Sequence, residues 1–151
     1  MTNSKIDATK GDEAAIRRIR RCHLHVLVVD DVAAYRQSLS RYLHGRYDAA
    51  VTEASSGYRA LELVRSEDFD LILLDIAMPA MDGIHTYLNM RADGVDATIA
   101  FMSANVDQEK LSRAAALGTT ILRKPLDEEA LVAVLLNCNA GTHQHDKDTV
   151  D

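Results

Sequence analysis

The chain is poor in the features that would place it in a membrane, in a redox pair or on a zinc ion. No apolar run comes near the roughly 20 residues that a membrane-spanning helix needs. Met1 to Gly11 is polar and lacks the apolar centre of a signal peptide. There are only two cysteines, Cys22 and Cys138, far apart and in no Cys-x-x-Cys pair, so neither a zinc site nor a thioredoxin-like motif is indicated. Internal repeats and low-complexity tracts are absent. Positive charge is scarce where nucleic-acid binding would need it: residues 24–139 carry ten Lys/Arg against seventeen Asp/Glu, in a chain of 151 residues with net charge −6. Only residues 1–23 are basic, six against three. These absences point to a cytoplasmic domain with tails that grips neither membrane nor nucleic acid. A Cys22–Cys138 disulfide is sterically conceivable, since both fall at one end of the expected sheet, but a reducing cytoplasm favours thiols.

What is present is a regular alternation of short apolar runs and amphipathic stretches. Leu71-Ile72-Leu73-Leu74 is too short for a core helix and reads as a strand buried on both faces, ending at Asp75. Pro79 and Asp82-Gly83 then force a loop. Leu24 to Val29 is a second such strand, ending in Asp30-Asp31. Tyr47 to Ala54 is less hydrophobic and so nearer an edge. Thr98 to Met102, closing on Ser103-Ala104-Asn105, and Thr119 to Leu122, followed by Lys124-Pro125, complete five strands. Between them, Tyr35, Leu39, Tyr42 and Leu43 mark a helix over about 32–44 with Gly45 as a stop. Ser55-Ser56-Gly57 opens a helix with Ala60, Leu61, Leu63 and Val64 on one face. Ile84, Tyr87, Leu88 and Met90 mark a third. Asn105 or Asp107 caps a fourth, ended by Gly118, and Asp127 caps a last helix through Leu131, Val134, Leu135 and Cys138. Residues 12–21 form a short basic helix with only Ile16 and Ile19 as an apolar face, either a frayed extension or a docking or dimer-forming arm. Residues 140–151 are polar and are expected to form a disordered tail. Five alternations with short connections predict an α/β fold, a doubly wound parallel five-stranded sheet.

In a parallel sheet the carboxyl ends of the strands share one edge, where open α/β folds place their ligands. Asp30, Asp31, Asp75, Ser103 and Lys124 should therefore converge. Two like charges about 4 Å apart repel by about 4 kcal/mol at an effective dielectric near 20. Such a cluster either raises a carboxylate pKa or recruits a cation, and hard oxygen donors suit Mg²⁺. Lys124 is a compact positive charge facing an incoming anion, and Ser103 adds a hydroxyl. Together they fit attack of the Asp75 carboxylate on a phosphoryl group. Each piece alone has a plainer reading. A strand-end Asp is commonly a helix cap, as Asp31 could be, and Lys-Pro is commonly a turn.

Val28-Val29-Asp30-Asp31, Leu73-Leu74-Asp75-Ile76-Ala77-Met78-Pro79-Ala80-Met81-Asp82-Gly83, Met102-Ser103-Ala104 and Lys124-Pro125 resemble the receiver domain of bacterial two-component response regulators. The resemblance covers Leu24 to Asn139. It implies a flavodoxin-like (βα)5 fold of strand order 2-1-3-4-5. It implies Asp75 as acceptor of phosphate from a sensor histidine kinase or histidine phosphotransfer protein. It further implies Mg²⁺ held by Asp31, Asp75 and the backbone carbonyl of Ala77, with Asp30 acting through a metal-bound water. Ser103 and Lys124 would contact the phosphoryl oxygens, and the Lys124–Pro125 peptide would be cis.

Two positions depart from the family pattern. Ile121 stands where receivers commonly carry the aromatic ring that turns inward on phosphorylation, and Leu126 stands where a phenylalanine often follows Lys-Pro. The signalling face of the fourth helix, fifth strand and last helix is thus expected to be read differently by a downstream protein. The short polar tail suggests a stand-alone receiver that signals by protein contact, by relaying phosphate, or as a homodimer. Three competing readings are a phosphate-independent interaction module, an aspartyl phosphatase and a flavodoxin. The phosphatase lacks its second Asp at Ala77. The flavodoxin lacks a Ser/Thr/Gly phosphate loop after the first strand. His23 and His25, two apart, are candidate ligands or structural histidines. His143 and His145 lie in the tail.

Overall fold

The computed structural model describes residues 13–104 and 107–138. A helix over 13–21 (α1) precedes β1 (His25–Val29), α2 (Ala33–Tyr47), β2 (Ala50–Ala54), α3 (Gly57–Ser66) and β3 (Leu71–Asp75). Then come α4 (Gly83–Ala92), β4 (Thr98–Ser103), α5 (Gln108–Ala116), β5 (Ile121–Arg123) and a helix over 128–138 (α6). The strands form one parallel sheet in the order β2-β1-β3-β4-β5. The α/β fold with strand order 2-1-3-4-5 is the one expected. No described helix is long and apolar enough to cross a membrane.

Because side chains alternate along a strand, each central strand feeds two cores. Val26, Val28, Leu71, Leu73, Ala100, Met102 and Leu122 pack on one face with α1, α2 and α6. Leu27, Val29, Ile72, Leu74, Ile99, Phe101 and Ile121 pack on the other with α3, α4 and α5. Leu71, Ile72, Leu73 and Leu74 are fully buried, each worth about 1.5–3 kcal/mol relative to an exposed side chain. That burial holds β3, and hence Asp75, at the centre of the sheet.

Several boundaries differ from the sequence reading. Gly45 does not stop α2. The helix runs on to Tyr47, whose ring is fully buried, and ends where Asp48 adopts a left-handed conformation at φ 55°. The Asp48 N–H then closes onto the carbonyls of His44 and Leu43, so β2 begins only at Ala50. In α4 the buried face includes Thr86, while Leu88 is exposed. Thr86 turns inward because its hydroxyl donates to the Asp82 carbonyl at 2.8 Å, satisfying its polar group locally.

Other signals hold as read. Ser56, Asp107 and Asp127 accept from backbone N–H groups three residues on. Gly118 adopts φ 73° after α5. Asn105, the other cap considered for α5, lies outside the described residues, as do His143 and His145.

The N-terminal helix is not a frayed extension. Ile16 and Ile19 join the cluster that contains Leu43, Tyr47, Leu131 and Leu135. Arg20 Nη1 donates to the carbonyls of Gly45 and Arg46 at 3.2 and 2.9 Å, satisfying acceptors that the end of α2 leaves open. Cys22 and Cys138 are not joined in a disulfide.

Candidate functional site

The parallel sheet delivers the polar strand ends to one edge. Asp30 follows β1 directly and is fully buried. Its N–H donates to the Ala54 carbonyl at 3.1 Å, its Oδ1 accepts from the Val32 N–H at 2.9 Å, and its carbonyl accepts from Arg36 Nη1 at 2.8 Å. Arg36 is held in turn by Glu53 at 2.9 Å. Asp31 is exposed, and the first residue before α2 is Val32, with no side-chain cap. The plain reading of Asp31 as a helix cap is therefore not what the structure shows.

Asp75 is the last residue of β3 and is only 4% exposed. The carboxylates of Asp30, Asp31 and Asp75 each offer an oxygen within 4.8 Å of the others. Lys124, just past β5, brings its Nζ to 2.6 Å from Asp30 Oδ2 and 3.5 Å from Asp75 Oδ1. Its N–H donates to the Ser103 carbonyl at 2.7 Å, which ties the ends of β4 and β5 together, and the Lys124–Pro125 peptide is cis. Ser103 is buried at the end of β4, and Ala77 sits in the exposed loop after Asp75.

Burial raises the Asp75 carboxyl to a pKa of about 6, with the charges of Asp30 and Asp31 adding to the shift and Lys124 opposing it. Three carboxylates against one ammonium leave a surplus of negative charge. An all-oxygen donor set gathered this closely fits a hard divalent cation such as Mg²⁺. Of the two responses expected of such a cluster, burial and like charge favour the raised carboxylate pKa, and the donor set fits a cation.

Two local features position the loop between β3 and α4. The Gly83 N–H donates to the Ile76 carbonyl at 2.8 Å, closing the loop between β3 and α4. A Cβ on Gly83 would stand 2.3 Å from the Asp75 carbonyl oxygen and 2.8 Å from Ile76 Cα. Only glycine permits that approach.

Tyr35 was read from its spacing as an apolar position of α2 and not as part of the site. Its ring lies over Lys124 Nζ, 4.3 Å from the ring centre. Burial, then Asp30 and Asp75, push its phenol up to about 12, so it stays protonated. The available signal was position: Tyr35 falls in the first turn of α2, four residues after Asp31.

His23 and His25 do not converge on a shared ligand site. His25 is satisfied by the Asp68 carbonyl and the Thr52 hydroxyl at 3.0 and 2.9 Å, and its ring packs at a tilt against Phe69. His23 pairs with Asp48 at 3.3 Å.

The sequence and the fold are similar to those of known proteins. A family model described as the response regulator receiver domain matches residues 26–136. The transcriptional regulatory protein ZraR of Escherichia coli K12 is 37% identical over 129 residues, covering 84% of this chain and 29% of that protein. The nitrate/nitrite response regulator protein NarL of the same strain is 32% identical over 118 residues, covering 77% of this chain and 55% of NarL. The chain thus spans about half, or less, of these relatives. Among solved structures, the Vibrio cholerae chemotaxis protein CheY4 superposes with a TM-score of 0.64 at 30% identity, covering 76% of this chain and 98% of that one.

Proposed function

Because the chain belongs to the response regulator receiver domain family, we propose that Asp75 is its phosphoacceptor and that phosphorylation there depends on Mg²⁺. The observation that supports this most directly is the convergence of three carboxylates and one ammonium on a buried strand end. With a pKa of about 6, Asp75 is largely ionised above neutral pH and can act as a nucleophile. One of its carboxylate oxygens forms a bond to phosphorus as the bond from phosphorus to the donor's leaving group breaks. The product is an acyl phosphate, and the donor leaves with its electron pair. Asp31, Asp75 and the Ala77 carbonyl would hold the cation directly, with Asp30 acting through a water. When bound, Mg²⁺ supplies positive charge to the phosphoryl oxygens. Lys124, already 3.5 Å from Asp75, would pair with one of those oxygens, and the Ser103 hydroxyl would bond another.

The donor partner in this reading is a sensor histidine kinase or a histidine phosphotransfer protein. Output is protein contact or onward relay of the phosphate, since the acidic balance of residues 24–139 disfavours direct contact with nucleic acid. The face of α5, β5 and α6 carries that contact. There Ile121 pairs with Phe101 and offers no ring to swing.

The test is incubation with acetyl phosphate, with and without Mg²⁺. Wild-type protein gains one acid-labile phosphate only with the metal, and Asp75→Asn gains none. Failure of wild type to be modified would favour the phosphate-independent interaction module instead.

A further inference from the structure

Lys124 has a long, flexible stem, and its ammonium must change partners during the proposed reaction. At rest it is bound tightly to Asp30, at 2.6 Å, and more loosely to Asp75, at 3.5 Å. Both contacts weaken as the site fills. A cation among the carboxylates competes for Asp30, and a phosphoryl group occupies an oxygen of Asp75. The Tyr35 ring, 4.3 Å from Nζ, is not consumed in this way. Its attraction comes from the ring quadrupole and needs no particular N–H, so all the donors of the ammonium stay available to oxygen. The ring is also well placed to keep its position. Tyr35 is half-buried in the first turn of α2 and packs against the core of that face. Its neighbour Arg36 ties the same turn to the Asp30 carbonyl and to Glu53.

We propose that Tyr35 is a positioning residue of the Asp75 site: its ring holds the Lys124 ammonium in the pocket while that ammonium exchanges a carboxylate for a phosphoryl oxygen. This rests on the phosphoacceptor reading above. The ring touches neither donor nor metal and acts only through Lys124. A leucine at this position would fill similar apolar space without a π face, and a phenylalanine would keep the π face without the hydroxyl.

The experiment compares wild type, Tyr35→Phe and Tyr35→Leu by two measurements. The first is the NMR shift of the Lys124 ε-CH₂ protons in metal-free, unphosphorylated protein. The second is the rate of phosphorylation by acetyl phosphate at saturating Mg²⁺. In wild type and Tyr35→Phe the ε-CH₂ protons are displaced upfield by the ring, and the two rates agree within about twofold. In Tyr35→Leu the upfield displacement is lost and the rate falls about fivefold, the fold-change that corresponds to an interaction of about 1 kcal/mol. An unchanged rate in Tyr35→Leu after loss of the shift overturns the proposal. So does an equal fall in both variants, which would point to the hydroxyl. If wild type shows the ring shift but takes up no phosphate, the phosphoacceptor reading itself falls, and this proposal with it.

Discussion

Asp75→Asn should make the metal-free protein more stable at neutral pH, although it removes the proposed nucleophile. The folded protein holds the Asp75 carboxyl at a pKa of about 6, against 3.8 for the unperturbed group, so the folded state binds this proton more tightly than the unfolded state does. The stability this contributes is fully present below the unfolded value and is lost as pH rises through about 6. At about pH 7.5 the loss amounts to about 3 kcal/mol, from a shift of about two pH units at 1.36 kcal/mol each. At about pH 4, near the unfolded value, it is a small fraction of that. Asparagine is close in shape and carries no charge, so it escapes the penalty, and Lys124 keeps its 2.6 Å contact with Asp30. Urea unfolding of both proteins in EDTA, at about pH 4 and about pH 7.5, measures the gap. The Asn variant should gain about 2–3 kcal/mol on wild type between the two conditions. Mg²⁺ at a hundredfold excess over its Kd should then return about 2.7 kcal/mol to wild type and much less to the variant. A gap that does not change with pH, or a variant less stable than wild type at about pH 7.5, refutes the account of Asp75 as a carboxylate strained by burial.

Three further outcomes follow from the same contacts. Lys124→Ala leaves the fully buried Asp30 without its ammonium and should cost about 3–5 kcal/mol in metal-free unfolding experiments, part of it recovered with Mg²⁺. Gly83→Ala sets a Cβ against backbone atoms that cannot swing aside. It should destabilise the protein by about 1–3 kcal/mol and shift the amide resonances of Asp75 and Ile76. Ile19→Ala empties a fully buried position of α1. It should cost about 2–5 kcal/mol by denaturant unfolding, whereas an unattached arm would lose nothing.

The fold was legible because its central strands are short, largely apolar and stopped by polar residues. Leu71 to Leu74 followed by Asp75 identifies a two-sided strand and its functional end together. The acids, Ser103 and Lys124 were found by one inference, that parallel strands share an edge, and the structure brings Asp30, Asp31, Asp75 and Lys124 together there. What escaped depended on contacts between elements. Gly45 looked like a helix stop because glycine favours termini, but buried Tyr47 holds the next turn in place, so the break falls at Asp48. Ile16 and Ile19 make too narrow a stripe to announce a buried helix, and only the facing Leu43, Tyr47 and Leu131 complete it. Tyr35 read as a core residue because helical spacing reports which face is apolar, not which cation lies beneath the ring.

The hydrogen bond from the Gly83 N–H to the Ile76 carbonyl has a consequence for how this site tolerates change. It closes the base of the loop, with Met78 turned into the core and the tip facing outward. Ala77, Pro79 and Ala80 are exposed there, with Ala80 in a left-handed conformation at φ 67°. A side chain changed at Ala80 should leave Asp75 in place, while a methyl group at the neck should displace it. A spectroscopic probe therefore belongs at Ala80, a few residues from Asp75 in sequence and separated from it by the closed neck.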